Sequence, residues 1–150
     1  MNLVECFRFL EKNSYQEFYK VESEFYLLLS KAADNDILPC IITFLTVSSW
    51  FGTSQRGGVW SFYEVANPED IKITVEYLKQ TKEYQIAQML QMGVHDYQNP
   101  IYQDNFDYPS QWIKESEEID NWIAQHEELL WKWEYKLLLD NRDSIVSFLG

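Results

Sequence analysis

The chain is short of the residues that most often do chemistry. Histidine occurs twice, as His95 and His126, and cysteine twice, as Cys6 and Cys40. No Cys-x-x-Cys, no His-x-x-x-His and no loop with calcium-ligand spacing is present, so neither a metal site nor a cofactor is expected. Both cysteines sit among apolar neighbours, and one such pair is no disulfide framework; reduced thiols and a cytoplasmic location are the expectation. Gly57-Gly58 lacks the Lys-Ser/Thr and the preceding strand of a phosphate loop. Basic residues are also scarce. Twelve Lys and Arg face 24 Asp and Glu, a net charge of −12, which opposes direct contact with nucleic acid and permits a basic protein partner. The N-terminus has no basic segment leading into a long apolar one, so no signal peptide is expected. The longest uncharged run is interrupted by Pro39, Gly52, Gly57 and Gly58, and is no membrane span. Strand alternation is missing too, apart from Lys72 to Tyr77, where a helix start overrides it.

Aromatic residues are abundant: six Trp, ten Tyr and nine Phe in 150 residues. That is ample for one domain over 1–150 with a core needing no disulfide or metal. A domain of this size cannot hide every ring, and exposed rings mark interfaces. The least charged stretch runs from Leu38 to Ala66. Two apolar segments, Ile41 to Phe51 and Val59 to Ala66, flank Gly52-Thr-Ser-Gln-Arg-Gly-Gly58. The first is longer than a typical strand, and glycine permits a tight reversal. These features predict a buried helix, a glycine turn and a second buried helix, with the Trp60, Phe62 and Tyr63 cluster in the core. Arg56, alone in that turn, is expected to bond helix-terminal carbonyls.

Val4, Phe7 and Leu10 predict a first helix, and Ser14 with Glu17 the capping box of a second. Asp34-Asn35-Asp36 reads as a turn, with Pro39 in the first turn of the helix after it. Asn67-Pro68-Glu69-Asp70 is a clear helix start. Thr81 is expected to open a short helix that Gly93 ends. Residues 94 to 110 carry no helical period and read as a long acidic loop. From Ser110, the residues Trp112, Ser116, Ile119, Ile123, His126, Leu130, Trp133 and Leu137 form one helical stripe, broken at Asp140-Asn141.

Residues 94 to 143 hold twelve acids against four bases, so −8 of the −12 lies there. Glu117, Asp120, Glu127, Glu128 and Glu134 fall off the apolar stripe. Glu115 with Glu118, and Glu117 with Asp120, are three apart, which sets carboxylates about 6 Å apart on one helix face, close to the spacing of phosphates along a strand. Together with Asp104 and Asp107 of the loop, Glu115, Glu117, Glu118, Asp120, Glu127 and Glu128 are the candidate partner-binding residues. An ordinary solvated helix face has the same pattern. Catalysis finds less support. His95-Asp96 offers a dyad, but no motif places a nucleophile beside it.

The run Trp50 … Arg56-Gly57-Gly58-Val59-Trp60-Ser61-Phe62-Tyr63 is similar to the Asn-Gly-Gly-Phe-x-Gln-Phe-Phe pattern at the centre of a bacterial domain-of-unknown-function family typified by an acidic DNA-mimic protein. The order of features over about residues 15–149 resembles that family as well. An apolar helix precedes the Gly-Gly turn; Asn-Pro-Glu-Asp and Ile-Ala-Gln-Met-Leu segments follow; an acidic loop and Glu-Ile-Asp-Asn-Trp-Ile … Glu-Glu-Leu-Leu come last. The chain departs from the pattern at Arg56, Val59 and Ser61, where the family has asparagine, phenylalanine and glutamine. The resemblance implies an all-α fold, a homodimer and an acidic surface that competes with DNA for a DNA-binding protein.

The expectation is therefore an all-α, single-domain helical bundle around a central Gly-Gly hairpin. It is expected to be non-enzymatic and to bind a basic protein through its acids, as a DNA mimic occupying a DNA-binding protein or nuclease. An immunity or antitoxin-like protein, blocking a toxin through its aromatic surface and the 94–110 loop, is the alternative. A small enzyme using His95 is the second.

Overall fold

The computed structural model describes residues 1–31 and 38–149. Among them there is no strand: the fold is all-α. The elements are α1 (Leu3–Lys12), a 3-10 helix (Tyr15–Lys20), α2 (Glu22–Ser30), α3 (Pro39–Arg56), α4 (Trp60–Val65), α5 (Pro68–Gln80), α6 (Tyr84–Met92), α7 (Pro100–Gln103), α8 (Ser110–Gln125), α9 (Glu127–Asp140) and α10 (Arg142–Leu149). The Asp34-Asn35-Asp36 turn lies outside the described residues. No described helix is long and apolar enough to cross a membrane.

The apolar run that dominates the sequence becomes the central helix. Cys40, Ile41, Phe44, Val47, Trp50 and Phe51 are buried around α3, and so are Thr43, Thr46 and Ser48. A helix buried all round needs neighbours on every side. Here α5 packs along it most extensively, and α2, α4, α8 and α9 also touch it. Pro39 stands in its first turn, where a missing N–H costs nothing. The helix does not stop at Gly52 as expected but continues to Arg56. One mid-helix glycine costs only about 1 kcal/mol, and the Arg56 guanidinium lies back against Gly52, 3.3 Å from where a Cβ would stand. Reversal falls at Gly57-Gly58, and only Gly58 has the positive φ, +124°, that favours glycine.

Local rules act at positions other than those expected in three places. Ser14 accepts from the Gln16 amide and starts the 3-10 helix, while Glu17 pairs with Lys20 at 2.6 Å. The capping box forms instead at Asn2 and Glu5. Thr81 does not open α6; it ends α5, its hydroxyl donating to the Tyr77 carbonyl at 2.9 Å. Lys82 follows at φ 65° and the Glu83 amide reaches Leu78 O at 2.7 Å, a Schellman closure with lysine in the place usually held by glycine.

The long stripe is one face but two helices. At His126 the backbone leaves helical geometry (φ −127°, ψ 25°), and Nδ1 lies 2.7 Å from the Trp122 carbonyl oxygen. The imidazole stacks on Trp122, with centroids 4.3 Å apart. A side chain that bonds the carbonyl four residues back competes with the helix ladder, and the chain turns there. From that bend α9 packs against α1, α3 and the 3-10 helix. Gly93 does end α6, and Asn67 does cap α5 through the Glu69 amide at 2.9 Å.

Candidate functional site

The Gly57-Gly58 turn is held from across the molecule by Asp120 of α8. One oxygen, Oδ1, accepts both the Ser54 hydroxyl at 2.6 Å and the Val59 amide at 2.9 Å. It joins the last turn of α3 to the start of α4. Trp60 covers Gly58 so closely that a Cβ there would lie 2.8 Å from the indole edge. The second oxygen, Oδ2, stands 3.6 Å from that same position. Trp60 was expected in the core with Phe62 and Tyr63; those two are buried, whereas Trp60 is 36% exposed.

The segment 94–109 folds onto α8 around Trp112. His95 stacks on the indole (4.8 Å, 6°), and Tyr97 and Tyr102 lie 5.1 and 5.0 Å from it. Tyr97 is 1% exposed, and Tyr108 packs 4.9 Å from it. Polar ties run to the end of α4: Gln98 Nε2 donates to Ala66 O at 2.7 Å, Gln103 Nε2 to Glu64 O at 3.2 Å, and the Tyr108 hydroxyl to the Glu64 carboxylate. The loop thus has an ordered inner side, and it contains α7, which Asn99 caps. Its outer side is apolar and acidic. Ile101 is 73% and Phe106 69% exposed, and Asp104 and Asp107 are exposed beside them. Phe106 has φ 51°, a conformation costing a phenylalanine about 1–2 kcal/mol.

The eight candidate acids fall into two groups. Asp120 is committed to the turn. Glu115 accepts from Gln111 Nε2 at 3.1 Å and pairs with His95 Nε2 at 2.7 Å. Glu127 accepts from Gln55 at 3.2 Å, and Glu128 from the Tyr15 hydroxyl. Glu127 and Glu128 are nonetheless exposed, as are Glu117, Glu118, Asp104 and Asp107, and these last four have no side-chain hydrogen bond among the described residues. No Lys or Arg among the described residues forms an ion pair with any of the eight. In each of the pairs 115/118 and 117/120, one carboxylate is used inside the protein, so the α8 array at phosphate spacing is interrupted. His95 has Glu115 as its partner and not Asp96.

These bonds set the titration of the site. The His95 bond holds the Glu115 carboxyl below its ordinary value. Burial pushes Tyr97 up to about 12, helped by Glu115 and Glu64. Tyr108 rises for the same first reason, and then because it donates to Glu64.

Between the turn, the loop and α8 lies a cleft of about 470 Å³, with Trp60, Tyr97, Phe106, Tyr108, Glu117 and Asp120 among its walls. A second carboxyl cluster lies inside. Glu134 of α9 is 1% exposed, with neither oxygen hydrogen-bonded, and it neighbours Glu22, which accepts the Ser48 hydroxyl at 2.6 Å. Glu134 was expected off the apolar stripe. Its neighbours four residues away, Leu130 and Leu138, are both buried, and that helical register was the signal for its burial. No group of three or more His, Cys, Asp or Glu among the described residues is placed to hold a metal ion. Arg56 forms no ion pair among the described residues.

Comparison with models of known families, with curated proteins and with solved structures finds no match to this chain.

Proposed function

We propose that this chain is a protein-binding module that holds a basic partner against the edge formed by α8 and the 94–109 segment. The observation that carries this reading is the exposed set Asp104, Asp107, Glu117 and Glu118, unpaired with any base among the described residues; exposed Ile101 and Phe106 share the segment of Asp104 and Asp107, and Phe106 shares a cleft wall with Glu117. Charge of one sign left open on a surface steers an opposite charge toward it, and apolar side chains at the same place give the encounter something to bury. Mimicry of DNA is the sharper form of the proposal. It asks for carboxylates in regular succession, and the internal use of Glu115 and Asp120 favours a local acidic edge over an extended phosphate-like row. Ile101 and Phe106 support a second reading, an immunity-like protein that covers a toxin with this segment.

The test is capture of a partner at low and at high salt, by the native chain and by a Glu117→Lys, Glu118→Lys double variant. A basic protein retained at low salt, released at high salt and lost by the variant is the expected result, because exposed charge pairs are screened. A partner held equally by both chains at both salt levels would overturn the reading.

A further inference from the structure

We infer that the cleft between the Gly57-Gly58 turn, the 94–109 segment and α8 is a receptor for a guanidinium group, an arginine side chain of a bound polypeptide. The inference rests on the protein-binding reading above for its biological source, but the pocket can be tested without it. Its walls combine two features. Trp60, Tyr97, Tyr108 and Phe106 supply aromatic rings, with Trp60 and Tyr97 6.3 and 4.9 Å from Tyr108. Glu117 and Asp120 supply carboxylates, and no base is among the lining residues. Asp120 uses Oδ1 for Ser54 and Val59, and forms no described hydrogen bond through Oδ2. Glu64, outside the lining, accepts the Tyr108 hydroxyl and so brings a further negative charge next to that ring. Two bases adjoin lining residues in sequence: Arg56 has its guanidinium turned back against Gly52, and Lys114, beside Ile113, is not among the lining residues and forms no ion pair with Glu117.

Aromatic rings attract cations through their negative faces, and most strongly where water is partly excluded. Tyr97 is buried at 1% exposure while Trp60 and Phe106 are exposed at 36% and 69%, so the cleft has both an inner wall and a rim. Among biological cations the guanidinium group suits it best. It is planar, stacks on rings, sheds water more readily than a primary ammonium and donates in a fork to carboxylates. A volume of about 470 Å³ is ample for one such head and its alkyl stem. A neutral urea group of the same shape would lose both the cation–π and the charge contributions.

The experiment uses the full chain and defined probes. The Trp60 indole N–H resonance, assigned with a Trp60→Phe variant, is followed by NMR during titration with acetyl-arginine methylamide, its citrulline analogue, acetyl-lysine methylamide and tetramethylammonium. Saturable movement with the arginine probe, none with citrulline, and binding about tenfold weaker in Glu117→Gln, a loss in the range of one charge-assisted contact, are the expected results. Because Glu117 is exposed, that variant is expected to fold; circular dichroism checks it. Equal responses to arginine and citrulline, no saturable response, unchanged binding in Glu117→Gln, or tighter binding of lysine or tetramethylammonium would each overturn the assignment. Failure of the partner-binding reading has a different signature: arginine still binds saturably, but no basic protein is lost on charge reversal.

Discussion

The ring of Tyr63 occupies the space that any side chain at Gly93 would need. A Cβ on Gly93 would stand 2.3 Å from Tyr63 Cζ and 2.6 Å from its hydroxyl oxygen. That hydroxyl accepts Trp50 Nε1 at 3.0 Å and donates to Leu90 O at 2.7 Å, so it ties the central helix α3 to the end of α6 through α4. Gly93→Ala is therefore expected to lower stability. Overpacking alone costs about 1–3 kcal/mol, and displacement of the ring would add to it. Tyr63→Phe keeps the ring but leaves the indole N–H unpaired in the core, at about 1–3 kcal/mol. Urea unfolding of both variants checks the pair, and a Gly93→Ala midpoint equal to that of the native chain would refute the packing argument.

Asp120 and Glu117 lie three residues apart on α8, yet they are expected to respond in opposite ways. Asp120→Ala strands the Val59 amide and the Ser54 hydroxyl; both bonds are partly buried, so the loss is expected toward the low end of the range for an unsatisfied donor, about 1 kcal/mol or more for the pair. Glu117→Ala, at an exposed position, is expected within about 0.5 kcal/mol of the native stability. Thermal melts of the two single variants separate the roles. Equal melting temperatures would mean that Asp120 does not hold the turn.

The same contrast measures what a one-dimensional pattern can carry. Periodicity identified α3, the Asn67-Pro68 start of α5 and the Gly93 end of α6, because propensity, capping and burial agree there. It did not separate Asp120 from Glu117, since the amide that claims Asp120 lies 61 residues earlier in the chain. For the same reason adjacency in sequence pairs His95 with Asp96, whereas its partner is Glu115, 20 residues on. Trp60 illustrates a different limit. An apolar run says that burial is available, not which ring is left at the rim of a cleft.

Glu115 ties the acidic helix to the loop, and its titration is expected to appear on the acid side. Its pKa lies below the ordinary 4.5 because His95 bonds its charged form. A depressed carboxyl contributes stability that is fully present above the unfolded value and is lost as pH falls through the folded one. Glu115→Gln is therefore expected to flatten the fall in urea midpoint below about pH 4.5. The discriminating measurement is the slope in that window, with Glu118→Gln as the exposed control. Identical slopes in the native and Glu115→Gln chains would count against the bond.

Glu134 has the opposite sign. Burial first, and the Glu22 carboxylate second, hold its pKa well above 4.5. The unfolded chain releases this proton near 4.5, while the folded chain keeps it, so the folded state binds more protons throughout the interval between the two values. Stability consequently falls as pH rises from 4.5, by up to about 1.4 kcal/mol per pH unit from this group, until the folded value is reached. Below 4.5 both states are protonated and the group contributes no slope. Glu134→Gln preserves volume and removes the titration. Its urea midpoint is expected near the native one at about pH 4 and above it at about pH 7, where a buried carboxyl without hydrogen-bond partners is most costly to the native chain. Glu22→Gln takes away the neighbouring negative charge, which should lower the folded pKa of Glu134 and narrow the interval. If the native and Glu134→Gln midpoints run parallel from pH 4 to pH 8, the buried carboxyl is not coupled to folding in this way.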